Sequence, residues 1–305
     1  MDIKLREIGE KIPESKFTDD AFSRYLTGLV YEDRGEWSDA LISYRQAYDA
    51  YKKYKQNYSL DMPRMLKYDL LRLARRQGLT SELSKYKKEF EIERAPDAAN
   101  VAGQGELIFV LNNGLVPIKR EKSINSVDPA SGTLFRIALP YYESRTNNVV
   151  SARISVADKQ ATSELMEDLD AIAKSSLDTR MPAIIARSVA RAVVKAAASK
   201  KAQQVAKNGN NSNNDASMAG LLGAMAVKVA AYATEQTNTH SWLTLPANIH
   251  LARLSLPPGS YSVKVELLGA AAEVVEIREY TGIEIKKNHK TFLTQHWIPA
   301  QSRTK

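Results

Sequence analysis

Asp178-Thr-Arg-Met-Pro-Ala-Ile-Ile-Ala-Arg-Ser-Val-Ala-Arg-Ala-Val-Val-Lys195 is the stretch on which the fold turns. Apolar residues recur at helical spacing: Ile185, Val189, Ala192, Val193 and Ala196 form one stripe. Arg187, Arg191 and Lys195, four apart, form a basic line beside it. Asn208-Gly-Asn-Asn-Ser-Asn-Asn-Asp follows as a polar hinge. The chain then resumes as Met218-Ala-Gly-Leu-Leu-Gly-Ala-Met-Ala-Val-Lys, with Leu221, Leu222 and Met225 among small residues. Small residues four apart allow close helix approach. The expectation is a two-armed α-helical hairpin inserted at about residues 160–236, framed on both sides by β-structure.

On the N-terminal side, Glu106-Leu-Ile-Phe-Val-Leu-Asn-Asn-Gly reads as a buried strand closed by a turn. Pro117-Ile-Lys-Arg-Glu-Lys reads as its polar continuation. Leu134–Leu139 and Val149–Val156 are further strands. On the C-terminal side, Asn248–Leu254 and Tyr261–Leu267 alternate with period two, separated by Pro257-Pro-Gly-Ser. Glu273–Arg278, Ile283–Lys286 and Thr291–Trp297 complete the set. Many short, turn-punctuated strands predict a β-sandwich-like domain.

Residues 20–58 have a different texture. Gly28, Tyr31, Gly35, Trp37, Ala40, Tyr44 and Ala47 are spaced as two nested antiparallel helices require. This segment resembles a tetratricopeptide repeat, with Arg24, Thr27 and Lys52 departing from the usual pattern. A second, poorer pair follows through Met65–Ala74 and Leu83–Phe90. Ala95-Pro-Asp-Ala-Ala-Asn-Val-Ala-Gly-Gln-Gly marks a boundary. The predicted organisation is therefore α+β: tetratricopeptide-like helical hairpins over residues 1–95, then a β-sandwich-like domain over 96–305 carrying the helical insertion.

Two roles for the helices stand at this point: a docking surface for a protein partner, or a cap serving only the fold. In the first, Tyr25, Tyr31, Trp37, Tyr44 and Tyr48 are the partner-binding residues. Tyr48, Tyr51, Tyr54 and Tyr58, interleaved with Lys52, Lys53 and Lys55, read as a core face with a solvated lysine side; no nucleic acid is expected.

Chemistry is hard to place. The chain has no cysteine, which excludes thiol catalysis, disulfides and cysteine-bound zinc. His240, His250, His289 and His296 show no metal-ligand spacing, so no metal is expected. Nucleophile-elbow and phosphate-loop motifs are missing from the sequence. Glu164, Glu167, Asp168 and Asp170 sit among apolar residues at helical spacing and read as a solvated helix face. We expect no catalytic residues, no cofactor and no enzyme.

The 305 residues carry a net charge of +8, mixed along the chain. That charge suits anionic surfaces without implying nucleic acid. The charged start Met1-Asp-Ile-Lys-Leu-Arg-Glu predicts no signal peptide. No apolar run reaches the roughly 18–20 residues needed to span a bilayer.

Gly105–Glu121, Arg136-Ile-Ala-Leu-Pro-Tyr-Tyr, Ile185–Ala192, Trp242-Leu-Thr-Leu-Pro-Ala and Arg253-Leu-Ser-Leu-Pro-Pro-Gly together resemble a family of uncharacterised bacterial lipoproteins. The resemblance covers roughly residues 20–295. It implies tetratricopeptide-like helices joined to a β domain, held at the periplasmic side of an outer membrane through a lipidated cysteine. This sequence contains no such cysteine.

The functional expectation is a non-enzymatic component of a cell-envelope complex. It docks a protein partner through its helices. The hairpin, through Arg187, Arg191, Lys195, Leu221, Leu222 and Met225, packs against its own β domain, against a second copy, or on an anionic membrane. Lys228 and the arginines oppose full insertion, since each charge costs about 2.5–3.5 kcal/mol at a bilayer centre. A cytoplasmic scaffold is the further alternative.

Overall fold

The computed structural model describes residues 19–93, 103–127, 134–208 and 236–299. The fold is mixed α+β. The chain divides into two compact units: Lys16–Pro117, Ser144–Ser175 and Trp242–Lys305 form the larger, and Met1–Ser15, Ile118–Glu143 and Ser176–Ser241 the smaller.

In the larger unit, four helices come first: α1 (Ala21–Asp33), α2 (Trp37–Tyr58), α3 (Arg64–Arg76) and α4 (Thr80–Phe90). Asp20 caps α1 by accepting the Ser23 N–H at 2.7 Å. Gly35, at φ +77°, makes the turn into α2. Gly28 is where α1 and α2 meet: a Cβ there would lie 2.2 Å from the Tyr44 ring. Only glycine lets that ring sit against the backbone.

Two sheets of four strands complete this unit, ordered β10-β1-β7-β6 and β5-β4-β8-β9. The first holds β1 (Gly105–Asn113), β6 (Glu164–Asp168), β7 (Asn248–Leu256) and β10 (Lys290–Trp297). The second holds β4 (Ser151–Val156), β5 (Lys159–Thr162), β8 (Gly259–Leu268) and β9 (Val274–Ile285). β1 pairs parallel with β10 and antiparallel with β7. Consecutive strands β5–β6 and β9–β10 lie in different sheets, so the chain changes sheet there.

β1 explains the layering. Ile108 and Val110 pack with the helices in one apolar cluster, alongside Leu29, Tyr51, Leu66, Leu70 and Leu251. Leu107, Phe109 and Leu111 pack in a second cluster with Ile154, Val263, Val265 and Leu267 of the other sheet. Side chains alternate along a strand, so a strand buried on both faces reads as an unbroken apolar run. The first sheet is thus the middle layer. The sequence reading drew a boundary near residue 95, yet helices and both sheets fall in one unit because the helices complete their core on β1 and β7.

The smaller unit holds the antiparallel ribbon β2 (Ile118–Val127) and β3 (Leu134–Glu143), and the greater part of α5 (Leu169–Asn208). Glu121 ties the ribbon internally, accepting from Arg136 at 2.7 Å and from the Thr237 N–H at 2.9 Å. Both apolar clusters belong to the larger unit. Ala138, Pro140 and Leu177 are the buried apolar residues among the smaller unit's described side chains.

Four expectations need correction. Ile118–Lys122 is strand, paired with β3. The two strands expected over Glu273–Arg278 and Ile283–Lys286 are one continuous strand, β9 (Val274–Ile285), which accommodates Gly282 at φ +70°. Glu164, Glu167 and Asp168 lie on β6 and not on a helix, because pairing with β7 overrides the local helical spacing. The helical insertion begins at Leu169, not near 160, and its described part is one helix of 40 residues containing Pro182. The expected second arm, with Leu221, Leu222 and Met225, lies outside the described residues.

Candidate functional site

The aromatic residues expected to bind a partner are mostly spent inside. Tyr25 and Tyr44 are wholly buried, their rings 5.5 Å apart. Tyr48 is buried, donates its hydroxyl to Glu89 at 2.6 Å and meets Tyr86 and Phe90 edge-on. A partner cannot touch these three from outside, so as contact residues they are withdrawn. The helical spacing that nests two helices also turns these rings inward. Tyr31 and Trp37 are half-buried; the Arg76 guanidinium covers the Trp37 ring at 4.0 Å. Tyr51, Tyr54 and Tyr58 are buried too.

Beneath the helices lies a group that sequence reasoning missed. Glu32 on α1 meets Arg72 on α3. Arg72 reaches Asp69 on the same helix at 2.7 Å. Asp69 meets Arg253 on β7. Arg253 binds Glu106 on β1 with both ends of its fork, at 2.7 and 3.0 Å. Lys290 on β10 reaches Glu106 at 2.7 Å and returns to Glu32 at 3.0 Å. The six side chains close a ring of alternating sign and zero net charge. The Tyr25 hydroxyl completes it, 2.7 Å from Arg253 and 2.9 Å from Asp69.

Each member comes from an element whose neighbours are apolar. Arg253 follows Ile249 and Leu251 on the helix-facing side of β7, so strand alternation carries it inward. Asp69 lies among Leu66, Leu70 and Leu73 on the buried face of α3. The signal was present: a charge at an inward register position demands a partner. Its partners, 32 to 290 in sequence, were not readable from spacing.

The electrostatics follow from burial and pairing. Burial works against the charged form of Glu106, but Arg253 and Lys290 prevail and bring its pKa down to about 2. Burial likewise opposes Asp69 ionisation, and Arg253 and Arg72 overcome it, holding the carboxyl below its ordinary value. Burial raises the Tyr25 phenol well above its ordinary range. Pairing thus favours the charged forms of Glu106 and Asp69. The ring's chemistry is that of a clamp fixing α1 and α3 on β1, β7 and β10.

Among the described residues, no group of three or more histidines and acids is placed so as to hold a metal ion. His250 is buried on the sheet–sheet side, its Nε2 2.9 Å from Asn248 Oδ1; burial lowers its pKa to about 4. His289 lies 3.4 Å from Asp33, and His296 lies 3.4 Å from the Gly114 carbonyl. His240 is exposed. An open depression is lined by Arg75, Ser84, Lys87, Lys88, Glu91 and Glu93. Its cations occupy the last turns of α3 and α4, where the helix dipole favours them.

On α5, Arg187 and Arg191 are exposed, and Arg191 bonds Ser188 at 3.1 Å. Ile185 and Val189, one helical turn apart, are 40% and 42% exposed. On the ribbon, Ile124 and Tyr141 are 51% and 42% exposed. Lys195 lies on α5 beyond the described side chains. Among the described residues, no helix is long and apolar enough to cross a membrane.

No family model matches the chain, and no curated protein or solved structure gives a significant match.

Proposed function

We propose that the chain is a non-enzymatic assembly component of a bacterial cell-envelope complex, and that its contact surface is the smaller unit. The larger unit is the mount. Its α1–α2 and α3–α4 pairs are tetratricopeptide-like, and its two sheets are sandwich-like. The face with which such helix pairs usually hold a partner is spent on this chain's own sheet. Docking through Tyr31 and Trp37 remains open at the rim.

The observation that carries this reading is the exposed Ile185 and Val189 stripe on α5, in a unit with few buried apolar side chains among those described. A two-stranded ribbon is marginal alone in water, and most helical stability comes from packing an apolar face. A second copy of the chain presents the same stripe and would cover it. Periplasmic placement at the outer membrane rests on the family resemblance.

Sedimentation of the full chain tests this. The wild type should self-associate at micromolar concentration, and the double variant Ile185→Asp, Val189→Asp should run as a monomer. A wild type that stays monomeric at 100-fold higher concentration would sink the self-assembly reading. Arg187 and Arg191 beside the stripe support a second reading, peripheral contact with anionic lipid. Flotation with phosphatidylglycerol vesicles at low salt separates the two: a monomer that floats favours the membrane, and an oligomer that does not float favours assembly.

A further inference from the structure

β9 ends the sheet β5-β4-β8-β9 and pairs with β8 alone. The other edges of the two four-stranded sheets, β5, β6 and β10, have four, five and eight residues against twelve in β9. The direction of its free backbone groups follows from its neighbours. On β4, the Ala152 N–H donates to Ser163 Oγ and the Ala152 carbonyl accepts the Ser163 N–H, both at 2.8 Å, so Ala152 points toward β5. Alternation then turns Ser151 toward β8, where Leu268 is its register partner. Leu267, Val265 and Val263 accordingly point at β9, and their partners Glu276, Arg278 and Tyr280 point back. Ile277 and Glu279 are left with N–H and C=O groups aimed away from the sheet. Such an edge is a template for another strand.

The side chains at this edge decide which strand fits. Ile277 is 51% exposed and stands between Glu276 and Arg278. Charges usually guard an edge, because like signs meet when two copies approach. Here their order matters. Register shifts bound the regular part of β9 to Glu276–Tyr280. Within it, two antiparallel copies pairing through their free groups can centre on Ile277, Arg278 or Glu279. Centring on Arg278 or Glu279 sets that charged residue against its own copy. Centring on Ile277 sets the two isoleucines together and brings Glu276 of each copy opposite Arg278 of the other. Within one copy Arg278 already touches Glu276, and the Trp297 Nε1–H donates to Glu276 at 3.0 Å.

We propose that two copies of the chain join by antiparallel pairing of their β9 edges centred on Ile277, which continues the sheet from one copy into the next across a two-fold axis. The Ile–Ile pair and the two Glu–Arg pairs are cross-strand contacts of the favourable kind. The regular run is short, so the contact is weak alone and adds to other contacts between copies. It lies on the larger unit and is separate from the α5 stripe.

The chain has no cysteine, so a single introduced thiol reports this contact directly. Opposite residues of such a pair lie about 5.5 Å apart, within disulfide reach. The full chain with Ile277→Cys should form a disulfide-linked dimer under mild oxidation. Glu279→Cys, on the same face, should cross-link about tenfold more slowly, because this register sets its two copies roughly 13 Å apart. Arg278→Glu added to Ile277→Cys should slow cross-linking about tenfold, since carboxylates then oppose one another. Ile277→Cys should still cross-link when Ile185→Asp and Val189→Asp are also present, which separates this contact from assembly through α5. Its loss in that background would overturn a separate β9 contact. Equal rates for Ile277→Cys and Glu279→Cys would overturn the pairing, and so would no cross-linking at either position, which would leave β9 a guarded edge.

Discussion

Arg253 and Arg120 make the same kind of contact, an arginine on a glutamate, in the two units of the chain. Arg253 is 14% exposed, forks onto Glu106 and belongs to a closed ring. Arg120 is 53% exposed and meets Glu143 at 2.6 Å on the open ribbon. The first pair has been taken out of water, where leaving one charge unpartnered is costly. The second is screened, and water replaces either partner readily. The larger unit uses charges as fixed joints between layers. The smaller unit keeps them on a surface and leaves apolar residues beside them uncovered.

The comparison can be broken most directly at Arg253. Arg253→Met should cost about 3–5 kcal/mol of unfolding free energy in urea, because Asp69 and Glu106 stay buried without their main counter-charge. A loss below about 1 kcal/mol would mean that the ring relaxes as an exposed pair does.

Acid should strike the larger unit next. Glu106 has a folded pKa near 2, below its unfolded value of about 4.5, so the unfolded state binds more protons between them. Its contribution is fully present above about 4.5 and is lost as pH falls through 2, on the order of 3 kcal/mol. His250 acts at milder acidity: its pKa near 4 lies below the ordinary 6.5, so its share fades as pH falls from 6.5 to 4. Equilibrium unfolding against pH, with Glu106→Gln alongside, should show the wild-type slope below 4.5 shrink in the variant.

Packing sharpens the contrast at lower magnitude. Gly28→Ala forces a Cβ into the Tyr44 ring and should cost about 1–3 kcal/mol, seen as a lower urea midpoint. At the small end stands the ribbon. Arg120→Ala should change stability by less than about 1 kcal/mol. An Arg120 effect comparable to that of Arg253 would erase the distinction between the units.

Much of the fold was legible in residue spacing. The unbroken apolar run Leu107–Leu111 announced a buried strand, and it is one, buried on both faces. The alternation in Tyr261–Leu267 placed Val263, Val265 and Leu267 on one face, and all three are buried. Gly28 was read as the small residue that lets two helices approach, and the Tyr44 ring of the second helix lies against it. Where spacing misled, a long-range partner outweighed it. Glu164–Asp168 has the apolar rhythm of a helix, but β7 supplies a ladder, and the backbone follows the hydrogen bonds. Of the aromatic positions that suggested a docking surface, Tyr25, Tyr44 and Tyr48 are buried in the chain's own core.

Local periodicity is a property of near neighbours, so the sequence by itself determined the alternating strands, the nested helix pair and the stripe on α5. The ring depends on residues far apart in the chain. Glu32, Asp69, Arg72, Glu106, Arg253 and Lys290 are ordinary surface-type residues until three layers stack. Only the tertiary structure removes water from them, and desolvation is what turns a charge into a joint.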